Sequence, residues 1–230
     1  NLDKRCYNSD MECHNKKSAF TLAEVLITLG IIGVVAALTM PVLIGNYKDK
    51  VTANQLRKTY SVLSQAIKMA QAEYGDISQW PILDGNMEST DELYLNYLKP
   101  YLKIVDECRN SNKCFTTNDA AIHMYSFSLN DGTKVLFDIW NHVEGTDDMY
   151  GSYGVKSYSE HYLYRNFIAF TVDINGNKKP NVSGKDIFTF VVSKNGVIPL
   201  GLDQDEGTTL RRCNKDNFSA NWCTAYMLSK

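Results

Sequence analysis

The sequence predicts an α+β fold, in which one long N-terminal helix lies across an antiparallel β-sheet to form a roll. Three observations predict it: a long apolar run near the N-terminus, a helical repeat directly after that run, and alternating strand patterns in the second half. The chain has 230 residues, of which 44% are apolar and 22% are charged. This composition is sufficient for a globular core and excludes a largely disordered protein.

The long helix begins in the apolar run Phe20 to Ile44, whose single charged residue is Glu24. A helix of this length reaches about 37 Å, whereas the hydrocarbon core of a bilayer is about 30 Å thick. The run can therefore cross a membrane, as the first half of the helix. Beyond it, apolar and aromatic residues recur at helical steps until Gly75-Asp76 ends the pattern, at Leu56, Tyr60, Leu63, Ile67, Ala70 and Tyr74.

The second half of the chain predicts one further helix and a sheet. Ser89 and Thr90 are good N-capping residues for a helix that we expect to fade near Asp106. Strands are expected over residues 122–129, 134–140, 167–174, 186–193 and 197–200, and the first two are joined by a hairpin turn at 130–133. Residues 143–162, rich in Gly, Ser and Tyr, predict a long loop.

The residues before the apolar run indicate how the chain is oriented and processed. Lys16 and Lys17 lie close to the apolar edge, and basic residues beside a first span stay in the cytoplasm, which predicts an N-in, C-out single pass. An ordinary secretory signal is cleaved at a small residue after its apolar core. Here the small residue, Ala19, precedes the run. Cleavage after it would leave the apolar helix as the new N-terminus.

The segment Lys16 to Leu26, KKSAFTLAEVL, resembles the class III signal of type IV pilins and type II secretion pseudopilins. The resemblance implies that prepilin peptidase cleaves after Ala19, that Phe20 becomes N-methylated, and that Glu24 is the acidic residue of the family's helix. Ala19 stands where this family usually has Gly, and the leader is longer than the common short form. The implied regions are a leader at 1–19, a transmembrane and filament-core helix at 20–45, and an exported pilin-like domain at 46–230.

The position of Glu24 also predicts a role from physical chemistry alone. A carboxylate inside a bilayer span costs about 2.5–3.5 kcal/mol on insertion scales and is rarely found without a partner. The free amine of Phe20 on a neighbouring copy would be such a partner after cleavage, and the pairing would set the axial register between subunits. The alternative is that Glu24 lies near the membrane interface and extends its carboxylate to water.

The six cysteines divide into two groups. Cys6 and Cys13 lie in the leader, whereas Cys108, Cys114, Cys213 and Cys223 lie in the exported region, where disulfides persist. We prefer the short-loop pairs Cys108–Cys114 and Cys213–Cys223 among the three connectivities that four cysteines allow. A zinc site is the rival interpretation, but these spacings are unusual for zinc.

Two polar segments are candidates for structural calcium. The stretch from Asp173 to Phe188 looks like the D-x-N-G, P-N and G-K-D pattern of many pilin-like proteins, and Asp173, Asn175 and Asn177 have the spacing of a calcium loop. The EF-hand pattern then fails at Lys178 and Gly184, so a polar turn is the favoured interpretation. Asp203 and Asp205, with Glu206, form the second candidate. We expect no other cofactor.

No catalytic motif is present in the sequence, so we do not expect an enzyme. We expect a structural subunit of a type II secretion pseudopilus or type IV pilus. Its partners would be prepilin peptidase, other subunits and an inner-membrane assembly platform, and its exported domain would lie in the periplasm or on the cell surface. The nearly balanced charge of the chain disfavours nucleic acid as a partner. The alternative function is a membrane-anchored exported domain that binds a ligand or catalyses a reaction and uses the helix as a tether.

Overall fold

The computed structural model describes residues 20–81, 87–109, 115, 125–141, 166–176, 178–193, 196–203, 205–213 and 220–230. The leader with Ala19, the predicted loop at 143–162, Cys114 and Asn177 lie outside these residues. The chain divides into two compact units, Asn1–Tyr47 and Lys48–Lys230. Each is described by itself below.

A single helix, α1 (Leu22–Tyr74), accounts for 53 consecutive residues and continues through Pro41. It ends one residue before Gly75, whose positive φ of 81° is a backbone conformation that favours glycine, and the Gly75 amide donates to the Gln71 carbonyl. The predicted long helix and its C-terminal end are therefore confirmed.

The second helical segment begins earlier and ends earlier than the sequence predicts. It runs as α2 (Met87–Glu92), a π-helical turn (Leu93–Leu98) and a 3₁₀ turn (Lys99–Tyr101). Ser89 and Thr90 lie inside α2, so the predicted N-cap position is wrong. The expectation that the helix fades near Asp106 is also wrong, because that residue lies in a strand.

The described residues form a six-stranded antiparallel sheet in which the strands follow one another in chain order. The strands are β1 (Ile104–Arg109), β2 (Tyr125–Leu129), β3 (Lys134–Asn141), β4 (Asn166–Asp173), β5 (Ile187–Ser193) and β6 (Gly196–Pro199). Each strand therefore pairs with its sequence neighbours, as a meander. The predicted α+β class, with one long helix on an antiparallel sheet, is confirmed.

The core of the second unit lies between one face of the sheet and the part of α1 that follows Lys48. Tyr60 stacks on Phe190 with ring centroids 5.6 Å apart, and its hydroxyl donates to the Val197 carbonyl over 3.3 Å. The helix contributes buried residues at helical spacing: Ala53, Leu56, Thr59, Leu63, Ala66, Ile67 and Ala70. The sheet contributes alternate residues of its strands, including Phe127, Phe137, Phe170, Phe188 and Phe190.

Strand β1 is an edge strand of the sheet, and the sequence pattern does not predict it. It carries charged residues and is mostly exposed, with Val105 72% exposed. An exposed edge strand does not show the apolar alternation that identifies a buried one. Its polar sequence therefore predicts the end of a helix and not a strand.

Two short helices follow the sheet near the C-terminus, and the sequence analysis does not predict them. They are α3 (Glu206–Arg212) and α4 (Ala220–Ser229). The Thr189 amide donates to Thr224 Oγ1 over 3.0 Å, which attaches α4 to β5. Gly201 allows its backbone to approach α4 closely, because a Cβ at this position would lie 2.3 Å from the Trp222 carbonyl oxygen. The end of α4 is attached to α1, since Arg57 donates twice to the Leu228 carbonyl.

Candidate assembly helix and its first turn

The first unit presents its apolar side chains to the surroundings. Phe20 is 85% exposed, and the large apolar residues that follow it, from Leu22 to Tyr47, are also exposed. Exposed apolar surface is unfavourable in water by about 25 cal/mol per Å². Among the described residues, α1 is the one helix long and apolar enough to cross a membrane. This surface is therefore suited to lipid or to contact with other apolar helices.

Glu24 closes the first turn of this helix as a capping box with Thr21. The Thr21 amide and hydroxyl both donate to Glu24 Oε2 at 2.9 Å, and the Glu24 amide donates to Thr21 Oγ1 at 3.2 Å. Thr21 is thus the N-cap and Glu24 is the N3 residue, the arrangement that satisfies two amide donors at the start of a helix. The sequence contains the required T-x-x-E spacing, but the capping role was not predicted.

The remaining polar side chains of residues 20–44 are bonded within the helix. The Thr28 hydroxyl donates to the Glu24 carbonyl at 2.9 Å, and the Thr39 hydroxyl donates to the Val35 carbonyl at 2.9 Å. Polar groups in an apolar medium are costly unless they are hydrogen-bonded. Both hydroxyls therefore have partners, and Glu24 is the one ionisable side chain of residues 20–44.

The structure describes one of the two predicted disulfides completely. It joins Cys213 to Cys223, with their Cα atoms 5.4 Å apart, and agrees with the predicted pairing. Both residues are buried in a small cluster with Trp222, over whose ring the Arg212 guanidinium lies at 3.8 Å. Cys108 is also disulfide-bonded. Its predicted partner Cys114 lies outside the described residues, so that pairing stays a prediction.

The two calcium candidates have different surroundings. Asp205 is the N-cap of α3, where its carboxylate accepts from the Thr208 amide at 2.8 Å and from the Thr208 hydroxyl at 2.7 Å. These hydrogen bonds, the side-chain one first, lower the pKa of Asp205. Asp205 and Glu206 thus form the start of α3, whereas Asp203 lies in the turn before it. Asp173 ends β4 and accepts from the amide of Asn175 in the turn that follows, whereas Asn177 lies outside the described residues.

A polar network that the sequence did not predict connects the second helical segment to strand β1. Tyr94 donates to Glu107 Oε2 at 2.8 Å, and Lys99 contacts Glu107 Oε1 at 2.6 Å. The hydrogen bond from Lys99, followed by that from Tyr94, lowers the pKa of Glu107, whereas burial and Glu107 raise the pKa of Tyr94. In the same network Asp91 pairs with Arg109 and accepts from the Tyr125 hydroxyl at 2.7 Å.

This network holds elements of the second unit together. Tyr94 is fully buried, and its ring stacks on Tyr125 with centroids 4.0 Å apart. The carboxylates of the network are all engaged by donors from neighbouring elements. The sequence does not predict this network, because its members are spread over 35 residues and meet through the pairing of β1 with β2, which the sequence does not predict either.

Comparison with known proteins gives two matches. Residues 42–229 match a family described as a family of unknown function (DUF6613). Residues 14–40 match the prokaryotic N-terminal methylation motif. Neither a curated protein nor a solved structure matches the chain. The methylation motif covers the residues just before Phe20, the capping box and most of the exposed apolar segment, and it confirms the resemblance to prepilin-type proteins.

Proposed function

Because the chain belongs to a family of unknown function and carries the prokaryotic N-terminal methylation motif at residues 14–40, we propose that it is a filament subunit of the pilin or pseudopilin kind. Prepilin peptidase cleaves it after Ala19, and the new N-terminal residue Phe20 is methylated. The subunit then assembles through α1 into a type II secretion pseudopilus or a type IV pilus.

The methylation motif, located on a helix with exposed apolar residues, is the observation that carries this proposal. The first unit buries little of its own apolar surface, so it depends on a lipid or protein environment. A filament core of neighbouring helices is one such environment and a bilayer is another. A subunit that is stored in the membrane and then assembled uses both in turn.

Glu24 is proposed to act between subunits. Its carboxylate lies 2.9 Å from the Thr21 amide, one residue from the amine that cleavage would create at Phe20. An amine and a carboxylate attract strongly in an apolar medium, where the charge on either alone is costly. Pairing Glu24 with the Phe20 amine of a neighbouring copy would therefore fix the axial position of one subunit against the next.

The proposal also covers location and partners. The subunit is anchored in the bacterial inner membrane with its N-terminus inside, and unit Lys48–Lys230 lies on the outer side or on the cell surface. Its partners are prepilin peptidase, further subunits and the inner-membrane assembly platform. We propose a structural role without catalysis and without a nucleic-acid partner.

Two substitutions separate the capping role of Glu24 from its proposed charge role. Glu24→Gln keeps an N3 side chain that still closes a capping box but removes the charge. Thr21→Ala removes the cap but keeps the carboxylate. We expect Glu24→Gln to reduce sheared filaments at least about tenfold, which corresponds to the loss of roughly 1.4 kcal/mol or more per contact. We expect Thr21→Ala to retain most filaments.

Filaments are counted by electron microscopy, and immunoblots of membrane fractions show that each variant is present and processed. If Glu24→Gln assembles normally while Thr21→Ala does not, Glu24 serves the helix start and the inter-subunit pairing is rejected. If both assemble normally, Glu24 has no role in assembly.

A further inference from the structure

A cleft lies between helix α1 and strand β6, the strand at one edge of the sheet. We call it the Lys68 cleft. It has a volume of about 300 Å³ and is lined by Tyr60, Ser61, Ser64, Gln65, Lys68, Gly196 and Val197. This volume is at the lower end of the range for small-molecule pockets, so the cleft is of a size for one or two side chains.

Strand β6 directs backbone groups to the side of this cleft. Hydrogen-bonded and non-hydrogen-bonded pairs alternate along an antiparallel ladder. Since the Leu200 amide donates to the Thr189 carbonyl, the pair of Val192 and Val197, three residues along each strand, is a non-hydrogen-bonded pair. The Val197 amide and carbonyl therefore point away from β5. The carbonyl accepts from the Tyr60 hydroxyl at 3.3 Å, and the amide is a donor on the same side.

The side chains of the Lys68 cleft add further donors and a positive charge. Ser64 Oγ is buried and has no hydrogen-bond partner among the residues that the structure describes. Lys68 is exposed and is the one charged residue of the lining, and it forms no ion pair with a described residue. Hydroxyl, amide and ammonium donors around one cleft, with no acidic side chain, favour a carboxylate as the ligand.

Strand β1, at the opposite edge of the sheet, carries a carboxylate that suits this cleft. Asp106 is exposed, and none of the cations in the described part of the chain pairs with it. The next carboxylate of the strand, Glu107, is already paired with Lys99. Asp106 is thus the acidic side chain of β1 that is accessible to a partner.

The residue before Asp106 gives this edge an apolar contact point. Val105 is 72% exposed. The register passes from Ile104 opposite Leu129 to Asp106 opposite Ser128, so Val105 is the extra residue of a bulge. A bulge on an edge strand disfavours the addition of another strand. Side chains of the bulge, and not a continued sheet, are therefore the means of contact at this edge.

Two copies of the chain attract each other through unlike edges and not through like edges. Two β1 edges that met antiparallel would bring the carboxylates of Asp106 and Glu107 together, and like charges across a strand pair are destabilising. Two Lys68 clefts face to face would bring two ammonium groups together. The β1 edge of one copy against the Lys68 cleft of another joins a carboxylate to an ammonium group.

We propose that the Lys68 cleft of one copy binds the Val105–Asp106 bulge of a second copy, with the Asp106 carboxylate paired with the Lys68 ammonium group. The inference rests on the proposed filament role and names a subunit contact for it. Because β1 and β6 are opposite edges of one sheet, the contact joins two different surfaces. Such heterologous contacts repeat from copy to copy and build an open helical filament when they do not close into a ring.

Charge reversal in the full chain tests this pairing. Lys68→Glu and Asp106→Lys should each reduce sheared filaments at least fivefold, because like charges then face each other across the contact. The double variant, Lys68→Glu with Asp106→Lys, should restore at least half of the filaments. Lys178→Glu is the matched control at another exposed lysine; alone it should assemble normally, and it should not rescue Asp106→Lys.

Normal assembly of either single variant, or a double variant without restored filaments, would overturn the pairing. Circular dichroism checks that each variant is folded. If filaments of these variants are normal while Glu24→Gln forms few, the proposed filament role stands and this contact falls.

A carbodiimide cross-link provides a readout that does not depend on filaments, because the reagent joins a lysine to a carboxylate in contact with it. On membranes that contain the unaltered chain, we expect a dimer on reducing gels whose peptides are joined through Lys68 and Asp106, as identified by mass spectrometry. Lys68→Gln should lose this product. Absence of the product in the unaltered chain would overturn the contact, whereas its presence without filaments would retain the contact and reject the filament role.

Discussion

The two parts of helix α1 have the same backbone structure but opposite relations to their surroundings. Before Tyr47 the large apolar side chains are exposed, and the polar ones bond back to the helix itself. After Lys48 the apolar side chains are buried on the sheet, and Tyr60 and Arg57 bond to other elements. The comparison shows that a continuous helix can serve two functions, because burial is determined by the side chains that it carries.

The largest effect is expected where the helix and the sheet form a closed core. Phe170 is fully buried and lies against Phe137 with ring centroids 5.9 Å apart. Phe170→Ala should lower the free energy of unfolding by about 3–5 kcal/mol, because it removes the buried ring and leaves a cavity. Denaturant titration of the full chain in detergent, followed by circular dichroism, measures this change.

The matched control for that substitution is Leu95→Ala, at an apolar residue that is 44% exposed. It should change the free energy of unfolding by less than about 1 kcal/mol. Equal losses for the two variants would contradict the core as described.

A charged residue in the exposed part of α1 should have its effect on membrane retention instead. Ile32 is 63% exposed. Ile32→Lys should disfavour membrane insertion by about 2.5–3.5 kcal/mol, the usual cost for a lysine at the centre of a span. Fractionation of cells into membrane and soluble protein measures the change, and Ile32→Leu is the control. Full membrane retention of Ile32→Lys would show that this part of the helix is not placed in lipid.

The smallest effect on the free energy of unfolding is expected from the ion pair between Lys99 and Glu107 of strand β1. Because the pKa of Glu107 is lowered in the folded chain, its contribution to stability is present above the unfolded value of about 4.3 and is lost as the pH falls through the lowered folded value. Glu107 is partly exposed, so Glu107→Gln should cost less than about 1 kcal/mol at neutral pH.

Urea titrations at several pH values measure this difference between Glu107→Gln and the unaltered chain, with Asp106→Asn as the exposed neighbouring control. The difference should shrink towards pH 3. A difference in the free energy of unfolding that grows as the pH falls would contradict the lowered pKa of Glu107.

The sequence predicts the regular parts of this fold because periodicity follows directly from burial. Helix α1 and strands β2 to β6 have strong apolar patterns, and their predicted positions agree with the structure to within a few residues. Strand β1 could not be predicted, because an exposed edge does not need apolar alternation. Helix α4 could not be predicted either, because its apolar residues lie around most of its surface and give no clear helical stripe. Its disulfide and its hydrogen bond to β5 join residues that are apart in the sequence.

The candidate sites divide in the same way. Motif residues such as Phe20 and Glu24 could be predicted because their signal is local in the sequence. The capping box was also local, in the T-x-x-E spacing of Thr21 and Glu24, but the carboxylate was interpreted for its charge alone. The three hydrogen bonds that Asp186 accepts depend on how the β4–β5 connection folds back, so only the structure could identify them.

The central claim, that the apolar start of α1 becomes the N-terminus of a filament subunit, is tested most directly by mass spectrometry of the mature protein purified from its host's membranes. The account predicts a chain that lacks residues 1–19 and begins with N-methylated Phe20. A chain that retains the leader, or one that begins after Pro41, would contradict it.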